Sequence, residues 1–302
     1  MKHVLSKTGI AVLGGSLFLF LTALAWLAGE GGPHQGPGES PERIVSLAPS
    51  TTEILFSLGL GEKVVGVTEY CDYPEEAEKI PKIGGFKGKS MEKIVSLAPD
   101  LVIGTSDGNE ARIFTELERL GLPVLKVQPA TLTGAIESIR EIGSTAGHPR
   151  EAEKIARDME LRLMEVHSRI ANAPKVKVLF VYGRDPLVLA GPGTFADDMI
   201  WRAGGENVAS DALAPYPRFS METVVARGPQ VIVEGAMGSE GAGQRRTEMI
   251  DFWSRYDSIP AVRNRRLVAI DEDLIARPGP RLVDGLELLC RALHPELFEE
   301  RM

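Results

Sequence analysis

The sequence predicts two α/β lobes joined by one long helix, and three observations carry that prediction. Short apolar segments alternate with amphipathic helical ones through both halves of the chain, the pattern of largely parallel sheets. A phrase is repeated: Ser90-Met91-Glu92-Lys93-Ile94-Val95-Ser96-Leu97-Ala98-Pro99 returns as Ser220-Met221-Glu222-Thr223-Val224-Val225-Ala226-Arg227-Gly228-Pro229. Each copy runs into an apolar stretch, Asp100-Leu101-Val102-Ile103 or Gln230-Val231-Ile232-Val233, and so reads as helix, proline-marked turn and buried strand. Between the copies, Pro149 to Ile170 is an unbroken helical pattern. The copies lie too far apart for a solenoid period, so they mark two similar lobes.

In the first lobe, Arg43-Ile44-Val45-Ser46-Leu47 alternates as a strand that Pro49 ends. Ser50-Thr51-Thr52-Glu53 then offers a hydroxyl N-cap and an acidic first turn. Ile54, Leu55 and Leu58 form the apolar face of that helix, and Gly59 stops it. Val64-Val65-Gly66-Val67, Leu101-Val102-Ile103 and Pro123-Val124-Leu125-Lys126-Val127 are further strands, with a helix around Glu110–Leu120 ending at Gly121. In the long helical segment Ala152, Ile155, Ala156, Met159, Leu163, Val166 and Ile170 recur at three- and four-residue steps. At about 1.5 Å per residue it spans about 33 Å, enough to cross between lobes. Ala173-Pro174 breaks it, and a second α/β lobe begins with the strand Val176–Tyr182. Gly183 to Gly193 is read as a loop, Asp197 to Arg202 as a helix closing at Gly204-Gly205, and Val231-Ile232-Val233 and Leu267-Val268-Ala269-Ile270 as strands. Leu282 to Leu293 is the terminal helix. A Gly-Glu-x-Val element occurs in both lobes, at Gly61-Glu62-Lys63-Val64 and at Gly205-Glu206-Asn207-Val208.

The 302 residues suffice for two domains with cores of their own, and 25% charged with 43% hydrophobic residues is the balance of a soluble globular protein. The net charge is −8 and no Lys/Arg-rich run occurs, which disfavours nucleic acid and anionic membrane surfaces as partners. Lys2 and Lys7 precede an uncharged stretch from Thr8 to Ala28, which reads as a secretory signal peptide or an uncleaved anchor. Ala23-Leu24-Ala25 is a small-x-small cleavage site, and no cysteine near the leader offers a lipid attachment point. The organisation that follows is leader or anchor 1–29, flexible linker 30–41, N-terminal lobe 42–148, interlobe helix 149–173 and C-terminal lobe 174–302. The expected location is periplasmic or otherwise extracytoplasmic, with membrane contact only through the leader or a membrane partner. Cys71 and Cys290 either pair or stand as unrelated small residues; their separation, in different lobes, favours no bridge.

Catalytic signatures are missing from the sequence. It contains no Gly-x-Ser-x-Gly, no His-Glu-x-x-His and no Cys-x-x-Cys. Gly191-Pro192-Gly193-Thr194-Phe195 lacks the lysine of a phosphate loop and reads as a turn before a helix. His3, His34, His148, His167 and His294 are scattered and read as solvated, and Asp271-Glu272-Asp273 reads as a solvated loop rather than a cation site. The expectation is no enzyme, no metal site and no catalytic cofactor. The loops after strands carry aromatic residues instead: Tyr70, Phe86, Tyr182 and Tyr216, the second and fourth just before the two copies of the repeat. Ligands of open α/β sheets bind beyond the carboxyl ends of strands, so a cleft lined this way suits a large flat ligand. Glu92 and Glu222 each stand in the first turn of a helix, where the dipole favours a carboxylate. As a matched pair they also suit docking onto a two-fold partner.

From Arg43 to Leu293 the chain resembles the helix-linked substrate-binding proteins of ABC importers, which capture cobalamin, haem and ferric siderophores, and it is most similar to the cobalamin-binding branch. The likeness rests on Arg43–Glu53 (RIVSLAPSTTE), Tyr70–Pro74 (YCDYP), Met91–Ile103 (MEKIVSLAPDLVI), Gly204–Val208 (GGENV) and Pro215–Glu222 (PYPRFSME). The resemblance implies Rossmann-like lobes on a rigid helix, a monomer, and a partner in a permease dimer whose arginines meet Glu92 and Glu222. It also implies cobalamin or a related corrinoid as transported ligand, with Tyr70, Phe86, Tyr182, Tyr216, Asp273 and Arg277 as contacts. Phe86 and Tyr216 stand where tryptophans are expected, Thr105 and Val188 replace further aromatics, and Ala203 replaces a cysteine that some relatives pair with the terminal helix. A haem or ferric siderophore is the alternative cargo, with Tyr70 or Tyr182 on iron and Arg184 or Arg277 on carboxylates. A membrane-anchored ligand sensor is the alternative from another class.

Overall fold

The computed structural model describes residues 40–85, 88–106, 111–236 and 242–298. The leader at 1–29, the linker as far as Glu39, and Phe86 lie outside the described residues. In the first lobe β1 (Ile44–Ser46), β2 (Val64–Gly66), β3 (Leu101–Thr105) and β4 (Val124–Val127) form a parallel sheet in the order β2-β1-β3-β4. Every residue of β1 and β3 is buried, as central parallel strands covered by helices on both faces must be. The helices are α1 (Pro49–Ser57), α2 (Met91–Ser96), α3 (Ala111–Arg119) and α4 (Leu132–Thr145). The chain then leaves the lobe through α5 (Pro149–Ile170).

The start of α1 departs from the sequence expectation. Pro49 is its first residue, Ala48 caps it without a side-chain bond, and Ser50, Thr51, Thr52 and Glu53 are buried inside it. Proline suits this place because the first helical N–H has no partner to lose. The hydroxyls turn inward rather than capping: Thr51 and Thr52 donate to the Ala48 carbonyl at 2.9 and 3.1 Å, and Thr52 also donates to Ser46 Oγ at 2.8 Å. These bonds tie the helix start to the end of β1.

The second lobe holds β5 (Val176–Arg184), β6 (Leu187–Leu189), α6 (Phe195–Arg202), β7 (Gly205–Asn207), α7 (Met221–Arg227), β8 (Val231–Ala236), α8 (Ala242–Trp253), α9 (Pro260–Arg263), β9 (Leu267–Asp271), α10 (Asp273–Ala276) and α11 (Leu282–Leu293). Its sheet runs β6-β5-β8-β9, with β7 beside the first residues of β5. β5, β7, β8 and β9 are parallel, and β6 is antiparallel to β5. The segment Gly183 to Gly193, expected as a loop, instead opens with a hairpin in which Gly183 faces Val188 and Arg184 faces Leu187. Leu187 and Leu189 bury their side chains on one face of it, the period-2 signal of a strand. The two Gly-Glu-x-Val elements also differ: the first is a 3-10 turn before β2, the second is strand β7.

Helix α5 buries Ala152, Ala156, Met159, Val166 and Ile170, joining the cores of both lobes into one cluster. It lies close against α4 because Gly143 has no side chain; a Cβ there would overlap that of Ala152. Ion pairs flank the contact. Arg140 of α4 reaches Glu153 and Glu160 at 2.8 Å each, and Arg162 of α5 reaches Asp284 and Glu287 of α11 at 2.6 and 2.9 Å. Cys71 and Cys290 are free, buried and in different lobes; burial pushes the Cys290 thiol up to about 12. His294, expected as solvated, is only 1% exposed at the end of α11, and burial holds its pKa below the usual value. Its ring packs against Gly204, where an added Cβ would lie 2.7 Å from His294 Nε2. Among the described residues no helix is long and apolar enough to cross a membrane.

Candidate functional site

The carboxyl ends of both sheets converge on one cavity of about 1180 Å³ between the lobes. Pro49 and Ser50 follow β1, Thr68 to Tyr70 follow β2, Thr105 ends β3, and Pro129 and Ala130 follow β4. From the second lobe come Tyr182 near the end of β5, Glu272 and Asp273 after β9, and Thr194, which caps α6 by accepting the Asp197 N–H at 3.2 Å. Loops beyond parallel strand ends are free of ladder bonding, so their side chains and backbone are left to face a ligand.

Tyr70, Tyr182 and Tyr216 all line this cavity, so the structure gathers three of the four sequence-singled aromatics. Phe86 lies outside the described residues. Tyr182 and Tyr216 meet edge to face, centroids 5.6 Å apart, and Phe180 backs Tyr182 at 5.1 Å. Tyr70 is 45% and Tyr216 60% exposed, whereas Tyr182 is half-buried. Burial raises the Tyr182 phenol well above its ordinary value, and Tyr216 and the Glu272 carboxylate add to the shift.

Asp273 and Arg277 line the same cavity, one turn apart on and after α10. Arg277 Nε meets Asp273 Oδ1 at 2.8 Å, and its other end crosses to the first lobe, reaching Asp72 at 2.5 Å and Glu53 at 3.5 Å. Arg281 completes the bridge, its Nη2 and Nε donating to Glu53 at 2.6 and 2.8 Å and its guanidinium 3.8 Å from the centroid of the Tyr73 ring. Burial by itself would raise Asp72, but Arg277 beside it holds the carboxyl below the usual range. For Asp273 burial outweighs Arg277, and its carboxyl is raised. The reading of Asp271-Glu272-Asp273 as a solvated loop is overturned: all three are partly buried, and Glu272 and Asp273 form cavity wall. Burial next to Asp273 and Asp271 raises Glu272 as well. Packing of α10 against α11, where a Cβ on Gly285 would overlap Leu274, turns this segment inward.

Arg184, the other arginine weighed for an anionic ligand, is engaged elsewhere. It chelates Glu234 of β8 at 2.5 to 3.1 Å, and Glu234 also accepts from Trp253 Nε1 at 2.6 Å. Thr105 lies in the cavity wall, while Val188 pairs with Arg218 on the hairpin. Sequence reasoning missed Glu53, Asp72, Arg281 and Glu272. Asp72 sits inside the Tyr-Cys-Asp-Tyr-Pro stretch and was within reach of that signal; Glu53 and Arg281 are linked only by the fold. Among the described residues no cluster of His, Cys, Asp or Glu is placed to hold a metal ion.

Glu92 and Glu222 occupy matching places outside the cleft, each exposed in the first turn of its helix. Ser90 and Ser220 cap these helices by accepting the N–H of Lys93 and Thr223 at 3.2 and 3.3 Å. Hydrogen bonds from Ser220 and from its own backbone hold the Glu222 carboxyl below the usual range.

Residues 44–274 match the periplasmic binding protein family. A vitamin B12-binding protein of Vibrio parahaemolyticus is 31% identical over 255 residues, covering 83% of this chain and 89% of its own. The periplasmic vitamin B12 binding protein BtuF of Vibrio cholerae superposes with a TM-score of 0.76 at 31% identity, covering 86% of this chain and 99% of its own. The periplasmic haem-binding protein RhuT from Roseiflexus sp. RS-1, in apo form, superposes at 0.75 with 32% identity, covering 85% of this chain and 99% of its own.

Proposed function

The chain belongs to the periplasmic binding protein family, and on that premise we propose that it captures cobalamin or a related corrinoid in the interlobe cleft and delivers it to an ABC-type importer. The carrying observation is the cavity itself. At about 1180 Å³ it exceeds the ~300–1,000 Å³ of ordinary small-molecule sites, and tyrosines from both lobes line it. A flat macrocycle rimmed by carboxamides matches ring faces surrounded by hydroxyl and carboxylate groups. In this reading Tyr70, Phe86, Tyr182, Tyr216, Asp273 and Arg277 contact the ligand. Glu92 and Glu222 dock a monomeric binding protein onto a permease dimer. Residues 1–29 direct export or anchor the chain and residues 30–41 tether the lobes. The lobes at 42–148 and 174–302 work outside the cytoplasm, around the helix at 149–173, without a catalytic cofactor.

Haem is the second reading, supported by the likeness to RhuT. One feature weighs against it. Arg184 is held by Glu234, and Arg277 is shared among Asp72, Asp273 and Glu53, so both arginines suited to haem carboxylates are already engaged. Calorimetric titration of the protein with cyanocobalamin, haemin and a ferric siderophore tests the proposal. One-to-one, submicromolar binding of cyanocobalamin alone is expected; binding of haemin in its place overturns the cargo.

A further inference from the structure

We propose that Glu272 is a specificity-determining residue of the cleft, selecting ligands rimmed by carboxamides over those rimmed by carboxylates. The proposal rests on the corrinoid reading and deepens it. Glu272 follows β9 directly and lines the cavity beside Tyr182, Tyr216 and Asp273. Its backbone is fixed, the carbonyl accepting the N–H groups of Ile275 and Ala276 at 3.0 and 2.7 Å. Its side chain lies over Gly235 at the end of β8, where an added Cβ would sit 3.4–3.5 Å from the Glu272 Cβ, Cγ and Cδ. Among the described residues no hydrogen bond or ion pair holds its carboxylate. The neighbouring acid, Asp273, already has Arg277 at 2.8 Å.

The surroundings sharpen the selection. Among the described residues the cavity wall carries four carboxylates, Glu69, Asp72, Glu272 and Asp273, against two cations, Lys89 and Arg277. Asp273 and Asp271 set like charge directly beside Glu272. An N–H of a carboxamide meets such a group in a charge-assisted hydrogen bond. A carboxylate of the same shape meets like charge in a partly desolvated site and is repelled. Two ligands that differ only in amide against acid are thus separated by charge rather than by fit.

Cyanocobalamin in which one propionamide arm has been hydrolysed to the acid isolates this difference. Calorimetry on the full chain compares the parent with each of the three monoacid isomers, for the wild type, Glu272→Gln and Glu272→Ala. At least one isomer is expected to bind the wild type at least about tenfold more weakly than the parent. In both variants that gap closes to about threefold or less, with parent affinity kept within about tenfold. Equal wild-type affinity for the parent and all three isomers overturns the proposal without any variant. Undiminished discrimination in either folded variant overturns it as well, and leaves the corrinoid reading standing. No binding of cyanocobalamin at all removes that reading, and the selection role falls with it.

Discussion

Glu53 is 2% exposed, and its charge is answered from the other lobe, 228 positions away, by Arg281 and more distantly by Arg277. Removing one partner of such a pair leaves buried charge uncompensated. Glu53→Gln is therefore expected to cost about 3 kcal/mol in denaturant unfolding. A loss below about 1 kcal/mol would show that Asp72, Asp273 and the Tyr73 ring satisfy both arginines without it. The sequence reading of Ser50-Thr51-Thr52-Glu53 as a capping motif was chemically sound, since these residue types do start helices. It failed because the helix begins at Pro49, with its cap at Ala48 two residues before Ser50, and the arginines draw Glu53 inward. Local chemistry supplied a solvated use for each of these side chains; the opposite lobe supplied a better one. The same reason explains Glu272 and Asp273, read as solvated and found as wall.

At the scale of elements, α5 was legible in full. Its expected start and end, Pro149 and Ile170, are those observed, because a three- and four-residue apolar period over six turns has no competing interpretation. Its ion pairs with α4 were not legible, since they need the crossing geometry. Glu153 accepts from Arg140 at 2.8 Å and from Arg157 at 2.6 Å, and these bonds lower its pKa from 4.5 to about 2. A carboxylate lowered on folding stabilises the native state fully above its unfolded value of 4.5, and the gain disappears as pH falls through about 2. Glu153→Gln should thus lower the melting temperature modestly at pH 7, because the pair is solvent-exposed. The difference from wild type should shrink steadily below pH 4.5. A gap that does not change between pH 7 and pH 3 would assign the loss to packing. The hairpin of β5 and β6 is the converse case. Its glycines and Pro186 resemble loop chemistry, and only pairing against β5 makes Leu187–Leu189 a strand.

The whole molecule presents one carboxylate on each lobe at equivalent helix starts, Glu92 and Glu222. If they dock a two-fold permease, reversing either should impair transport and reversing both should abolish it. Exposed charges of this kind act on encounter and register, so ligand affinity should stay within about twofold. The measurement is corrinoid uptake by the reconstituted importer beside calorimetry of the isolated binding protein. Undiminished uptake with Glu92→Lys/Glu222→Lys would remove the docking role.

Periodicity and repetition, which are properties of neighbouring residues, were sufficient for the α/β class, the two lobes, the linking helix and the matched helix starts. They also singled out three tyrosines at or beyond strand ends, which the topology then gathered. Which charges face the cleft, which are spent across it, and which carboxylate is left for a ligand depended on residues more than two hundred positions apart. Burial and ion pairing are long-range quantities. They take values only once both sheets have turned their carboxyl ends toward the same cavity, and so only the tertiary structure decided them.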